Sequence, residues 1–280
     1  MTKGWTTVIN PQKSIFRFNL KELWEYRDLV SIFVKRDLTA QYKQTILGPI
    51  WFFIQPIVTT LVYTVIFGKI AKLPSDGVPK PLFYMNGIII WNYFSQTLGS
   101  TSGTFISNQH LFSKVYFPRL TLPISKAISG IAKFGVQFIL FIAMLLVYSI
   151  YGANVGINAF ILFTPLLLLQ MALLGFGVGL IISSLTTKYR DFQFLVGFGV
   201  QLWMYATPVV YPLSMVPQKY QWLYYLNPAV PVIQFFKYGF LGAGTIDWQM
   251  YGISVGVTLI ILCLGLLSFN AVERTFVDRV

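Results

Sequence analysis

Charge is scarce in this chain and acidic charge is scarcest: nine Asp and Glu, one His and one Cys stand among 280 residues. Charged side chains make up 11% of the sequence, about half the share of an ordinary soluble domain, while 55% of the residues are apolar. A soluble globule is excluded, and the chain reads as an integral membrane protein. Cys263 stands alone in an apolar run, so no intrachain disulfide forms and a small core residue is the reading. His110 has no ligand-type neighbours and reads as a solvated loop residue, neither metal ligand nor base. A phosphate-cradling loop is missing too. The only Gly-Lys pair, Gly68-Lys69, has Tyr63 where the upstream glycine belongs and Ile70 where Ser or Thr belongs. The chain is therefore expected not to hydrolyse nucleotides itself. Gly175-Phe176-Gly177-Val178-Gly179-Leu180 imitates a dinucleotide fingerprint, but it lies inside a helix and ends in Leu180, which favours close helix packing.

What is present is length without charge. From Phe134 to Thr187 the chain runs 54 residues with no charged side chain. As one helix that run measures roughly 80 Å, against about 30 Å of hydrocarbon, so it folds as a hairpin of two crossings. The break is at residues 151–158, where two Gly and two Asn interrupt apolar text. With four further charge-free windows, the expected fold is all-α and membrane-integral with six spanning helices, at about 46–68, 82–106, 128–151, 159–185, 193–212 and 249–270. One membrane domain, 46–270, is flanked by an N-terminal segment, 1–45, and a tail, 271–280. In this topology sixteen Lys and Arg fall on one side and five on the other, which places both termini in the cytoplasm. The first 19 residues are polar and mixed, so the first span is expected to direct insertion. The basic excess punctuates the apolar runs and serves orientation; no nucleic-acid face is assembled.

Two segments are neither span nor plain loop. Residues 20–43 carry Leu23, Tyr26, Val30, Phe33, Val34 and Leu38 on one helical face, with Lys21, Glu22, Glu25, Asp28, Lys35 and Arg36 largely opposite. This is an amphipathic helix for the inner membrane surface. Residues 213–244 form a long external connection crowded with aromatics and broken by Pro228 and Pro231, which reads as short helices dipping into the outer interface. Lys126 and Lys133 fall near the third span. A lysine at mid-depth is costly, so that helix is expected to project into the cytoplasm with Lys133 snorkelling to the headgroups.

Within the six expected spans there is no Asp, Glu or His. Those side chains serve proton relays and most embedded hydrolases or transferases, so an ion-driven carrier and a membrane enzyme are both disfavoured. Gly99 with Gly103, Gly175 with Gly179, and Gly252 with Gly256 point to tight helix contacts, within or between subunits. Forty-eight Phe, Tyr and Trp make up 17% of the chain. Interface belts account for Tyr151, Trp222 and Trp248. Trp51, Tyr63, Tyr84, Trp91, Tyr93, Trp203 and Tyr205 are candidates for a substrate pathway, where ring faces stack on sugar C–H faces.

Four stretches carry a family likeness. They are Arg36-Asp37-Leu38 with Tyr42 and Leu47-Gly48-Pro49-Ile50-Trp51; Leu111 through Arg119; Tyr189-Arg190-Asp191-Phe192 with Thr207-Pro208-Val209-Val210-Tyr211; and Leu226-Asn227-Pro228. In order and topology the chain resembles the membrane permease of the ABC-2 type polysaccharide exporters, which move lipid-linked O-antigen, teichoic acid or capsular chains across bacterial inner membranes. The resemblance implies a homodimer bound to two ATPase subunits, with ATP and magnesium held by the partner and none by this chain. It implies a coupling segment made of His110, Leu111, Phe112, Lys114, Tyr116, Phe117 and Arg119. It also implies an external gate containing Tyr220, Trp222, Tyr224, Tyr225 and Pro228, and a dimer seam that carries the polymer. A permease for small drugs or lipids, and a membrane-embedded transferase acting on a polyprenyl-linked substrate, are the competing readings.

Overall fold

The computed structural model describes residues 20–43, 48–112, 114–153, 155–189 and 191–276. Parts of the expected terminal segments, the start of the first span at 46–47, and Ser113, Asn154 and Arg190 of the quoted motifs lie outside the described residues. Among the described residues the chain is helical with no strand. Helices α1 (Leu20–Glu25) and α2 (Arg27–Tyr42) precede α3 (Trp51–Tyr63), which continues through a π-helical turn to Ile70. Then come α4 (Lys80–Ser102), the short α5 (Thr104–Ser107) and α6 (Gln109–Phe112), and the long α7 (Thr121–Ile150). Helix α8 (Thr164–Thr186), α9 (Phe192–Tyr205), α10 (Gln218–Tyr225), α11 (Ala229–Leu241) and α12 (Trp248–Phe276) complete the chain.

Four helical stretches are long and apolar enough to cross a membrane: Gly48–Ile70, Thr121–Ile150, Ala159–Thr186 and Trp248–Val272. They correspond to the first, third, fourth and sixth expected spans. Helix α4 has the length, 23 residues, but Asn86, Asn92 and Gln96 dilute its apolar character. Helix α9 has only 14 residues, about 21 Å, and ends at Tyr205 where the sequence had suggested 212. Thr207 precedes Pro208, whose ring disfavours helical backbone in the residue before it, and the chain leaves the helix in a turn over 206–209.

The core is built around α4. Leu82, Phe83, Tyr84, Ile89, Ile90 and Phe94 are fully enclosed, because α7, α8, α3, α11 and α9 all pack on this helix. Helix α8 lies between α4 and α12, and its glycines explain how. Residues two apart in a helix point about 200° away from each other. Gly175 and Gly179 accordingly meet α4: a Cβ on Gly175 would lie 2.9 Å from the Phe94 carbonyl oxygen, and one on Gly179 2.6 Å from Thr101 Cβ. Gly177 faces α12, where a Cβ would lie 2.9 Å from Leu262 Cα. Gly265 of α12 sits against the Gly177 backbone in turn. Close backbone approach of this kind is how helices gain packing energy in lipid. Gly252 and Gly256, by contrast, have no atoms of other described residues within 4 Å of an added Cβ. Gly265→Ala is therefore expected to lower stability by about 1 to 3 kcal/mol or more through overpacking. Gly252→Ala in the same helix should be neutral or slightly stabilising; unfolding midpoints in detergent micelles compare the two.

The break in the charge-free run falls where the Gly and Asn residues stand. Helix α7 ends at Ile150, Gly152 takes a left-handed φ of +78°, and Asn158 Oδ1 accepts from the Phe160 N–H at 3.1 Å to open a short 3-10 turn over Ala159–Phe163. This link does not hang free. The Gly156 N–H donates to the Leu241 carbonyl at 3.2 Å, the Asn158 N–H to Gly239 at 3.1 Å and Asn158 Nδ2 to the Tyr238 carbonyl at 2.9 Å. The α7–α8 link thus satisfies the carbonyls at the C-terminal end of α11, whose left-handed cap Gly242 (φ +66°) lies too close to Gly156 for any side chain.

Candidate functional site

Three regions hold the candidate residues. At the end of the molecule that carries α1 and α2, the amphipathic face expected over residues 20–43 is half-buried with Phe33 its most enclosed member, and Asp37, four residues on and outside the expected face, is enclosed as well. Asp37 belongs to the quoted Arg36-Asp37-Leu38 stretch, and its partners were not read from sequence. It accepts from the Arg36 guanidinium at 3.0 Å and pairs with Lys126 of α7 at 2.8 Å, so the surface helix is tied to the base of a long span by charge as well as by packing. Phe33 packs on Phe117 with ring centroids 5.8 Å apart, and Phe117 stacks on Phe112 at 5.6 Å. Arg119 lies over the Phe112 ring at 5.5 Å, a favourable cation–π contact. The expected coupling segment thus divides in two. Phe117 is buried as an anchor, while His110, Lys114 and Tyr116 are exposed and Leu111 and Phe112 half-buried. The Tyr116 hydroxyl donates to Glu22 at 3.2 Å, joining the loop to α1.

The seven candidate pathway aromatics do not line one surface within a single chain. Tyr84 and Tyr93 belong to the core of α4, Tyr93 against Phe134 at 5.9 Å. Trp91 and Phe94 hold the Trp203 ring of α9 edge-on at 6.4 and 5.0 Å. Tyr63 reaches α9 from α3, its hydroxyl 3.8 Å from Met204 Sδ. Trp51 and Tyr205 are exposed at the starts and ends of their helices. Around them α3 exposes Ile57, Val58, Leu61 and Val62, and α9 exposes Phe194, Phe198 and Leu202. An apolar recess of about 240 Å³ lies between α4, α8 and α9, with Leu98, Ile182 and Trp203 in its wall.

The third region is the connection from α9 to α12. Tyr220 and Trp222 are exposed on α10. Tyr224 shares a 2.9 Å hydrogen bond with the Tyr211 hydroxyl, and Tyr225 donates to Asp247 Oδ2 at 2.5 Å. That tyrosine hydroxyl, with the Met250 N–H, holds the Asp247 carboxyl below its ordinary range. The Pro228 carbonyl accepts from Ser254 of α12 at 2.6 Å, and Ser254 accepts from Gln170 of α8 at 2.7 Å, a buried relay across three helices.

Instead of dipping along the surface, α11 is buried almost throughout. Two of its supports escaped the sequence reading. Residues 207–210 of the turn are enclosed, with Thr207, Val209 and Val210 at most 3% exposed, and buried backbone groups need partners. Asn227 holds the turn mainly through side chains: its Nδ2 donates to Thr207 Oγ1 at 2.9 Å and reaches the Ala206 carbonyl at 3.4 Å, and its Oδ1 accepts from Trp203 Nε1 at 3.0 Å. Lys237 supplies a backbone partner. Only 2% exposed, it donates from Nζ to the Pro208 carbonyl at 2.6 Å and lies 3.8 Å from the centre of the Phe83 ring. Its signal in the sequence was a lone lysine inside an apolar, aromatic run. No group of three or more His, Cys, Asp or Glu side chains is placed to hold a metal ion among the described residues.

A family model described as "ABC-2 type transporter" matches residues 28–241. The "O-antigen export system permease protein RfbA" of Klebsiella pneumoniae is 26% identical over 263 residues, covering 94% of this chain and 97% of that protein. A protein of the same name from Myxococcus xanthus is also 26% identical, over 93% of this chain and 98% of its own length. The "Polysialic acid transport protein KpsM" of Escherichia coli is 23% identical over 85% and 91%.

Proposed function

Since this chain belongs to the ABC-2 type transporter family, we propose that it is the permease subunit of an ATP-driven exporter that carries a lipid-linked, O-antigen-like polysaccharide across the bacterial inner membrane. The observation that carries this reading is the likeness to O-antigen export permeases along nearly the full length of both chains. The chemistry agrees: the four long apolar helices contain no Asp, Glu or His, so the driving force is supplied from outside the chain. In this reading a separate ATPase, in two copies, binds ATP and magnesium, and the exposed Lys114 and Tyr116 meet it.

Two copies of this chain form the conduit. The uncovered apolar faces of α3 and α9 support this, because a second copy or lipid must cover them. Helix α4 and the short α9 complete six crossings; α4 tolerates its polar residues because other helices, rather than lipid, surround it. Both termini lie in the cytoplasm, on the side richer in Lys and Arg. The pair α10 and α11 then stands on the outer side as the gate.

Deletion of this chain in its host is the test. Surface polysaccharide should be lost and polyprenyl-linked polymer should accumulate on the cytoplasmic side. Unchanged surface polymer overturns the reading, as does transport by the purified chain in vesicles without a nucleotide-hydrolysing partner. Altered sensitivity to small amphiphiles with no polymer accumulation would favour a drug or lipid permease.

A further inference from the structure

Between α10, the middle of α11 and the start of α12 lies a recess of about 100 Å³. Its wall includes Gln221, Tyr225, Gln234, Phe235, Thr245 and Asp247. Gln234 decides its character. The residue is 6% exposed, and its side-chain amide makes no hydrogen bond among the described residues. An amide that lines a recess and makes no hydrogen bond to the described residues keeps its donors and acceptor for a ligand or water there. Gly244, at φ +88°, closes one side; a Cβ there would lie 2.9 Å from Gln234 Oε1, so only glycine leaves the amide oxygen in place.

The remaining wall adds a fixed carboxylate and a fixed ring. Asp247 accepts from Tyr225 at 2.5 Å and from the Met250 N–H at 3.0 Å, and an ionised carboxylate keeps further lone pairs for a hydroxyl donor. The Phe235 ring is held between Trp248 at 5.1 Å and Tyr251 at 4.6 Å. One amide with both donors and an acceptor and one carboxylate match a group that offers several hydroxyls, while the enclosed Phe235 ring only closes the floor of the recess. The carboxylate repels anions, and no Lys or Arg lines the recess to offset it. The volume suits the edge of one sugar ring rather than a longer chain.

We propose that this recess binds a single uncharged sugar unit of the polymer on the outward face of the membrane, with Gln234 and Asp247 meeting its hydroxyls. The proposal rests on the exporter reading, since it gives the cargo a neutral glycan chemistry. It makes the connection between α9 and α12 a holding site for the emerging chain.

The test uses the full chain in lipid nanodiscs and saturation-transfer NMR with maltotriose and mannotriose as neutral probes and a sialic acid trimer as the acidic probe. A neutral trisaccharide should receive saturation and the acidic trimer should not. Gln234→Leu, which keeps the volume, and Asp247→Asn, which keeps the shape but removes the charge, should each weaken the neutral signal about fivefold, the loss expected for one hydrogen bond. No transfer to either neutral probe, equal transfer to the acidic probe, or unchanged signals in both variants overturns the proposal. The deletion experiment separates the two readings. If surface polymer is lost on deletion while sugar binding ignores both variants, the pocket fails and the exporter stands. If surface polymer survives deletion, the exporter reading fails whatever the chain binds.

Discussion

Replacing Lys237 with alanine lowers the stability of the protein by about 3 to 5 kcal/mol, the sum expected when a long buried side chain leaves a cavity and strands backbone carbonyls without donors. The geometry behind the size of the effect is specific. After α9 stops at Tyr205 and the chain passes the exposed Ala206, residues 207–210 turn inside the protein, where water is not available to them. Gly87 of α4 presses on the Val209 carbonyl, so closely that an added Cβ would lie 2.8 Å from that oxygen, and the turn has no room to move away. Lys237 Nζ donates to the Pro208 carbonyl at 2.6 Å and approaches that of Val209 at 3.4 Å. Lys237→Met separates the terms. It fills the stem's space and removes the cost of burying a charge, leaving only the carbonyls unpaired, so its loss should be smaller, about 1 to 3 kcal/mol. Lys237→Glu should be the most damaging, because it places a negative charge against carbonyl oxygens and the Phe83 ring face. Unfolding midpoints of the purified chain rank the three. A Lys237→Ala midpoint equal to the parent's would show that the lysine holds nothing together.

The same turn shows where sequence reasoning ran out. The hairpin at 151–158 was legible because charge scarcity and Gly and Asn act locally: a 54-residue charge-free run has to fold back, and those residues mark the place. The glycines of α8 were legible as packing residues for a similar reason, since their spacing alone sets which faces they occupy. The end of α9 was not. No charge falls between Phe192 and Gln218, so a helix to 212 suited the local text. Pro208 disfavours helix just before it, but what holds the chain in a buried non-helical turn is a set of distant partners, Asn227 and Lys237. For the same reason α11 was read as interfacial: its aromatics look like a membrane belt until the α7–α8 link and α4 are seen to enclose them. Of the site, the motif positions were visible but their division of labour was not. Tyr116 and Phe117 are adjacent aromatics in sequence, and only packing makes one exposed and the other an anchor.

That division yields the second large effect. In the proposed assembly, Lys114→Glu and Phe117→Ala both uncouple the permease from its ATPase, but by different routes that can be told apart. Lys114 is exposed, beside Val115 and Tyr116 at 59% and 66% exposure, so reversing its charge leaves the fold intact and alters only the surface offered to a partner. Affinity for the ATPase should fall about tenfold or more, with the salt dependence of binding changed and the unfolding midpoint unmoved. Phe117 holds the loop to α2 and α6 through Phe33 and Phe112. Its truncation removes an aromatic side chain from a buried cluster, a loss of about 3 to 5 kcal/mol when the surroundings do not collapse. The effect falls first on the loop, because Asp37 and Lys126 still fasten α2 to α7. Phe117→Ala should therefore lower the midpoint and weaken ATPase binding together, whereas Phe117→Leu, which keeps much of the apolar contact, should restore most of both. Pull-down of the ATPase and export of surface polymer, measured beside the midpoint, make the comparison. If Lys114→Glu and Phe117→Ala both export at the parental rate, the segment from His110 to Arg119 is not where the motor engages the permease.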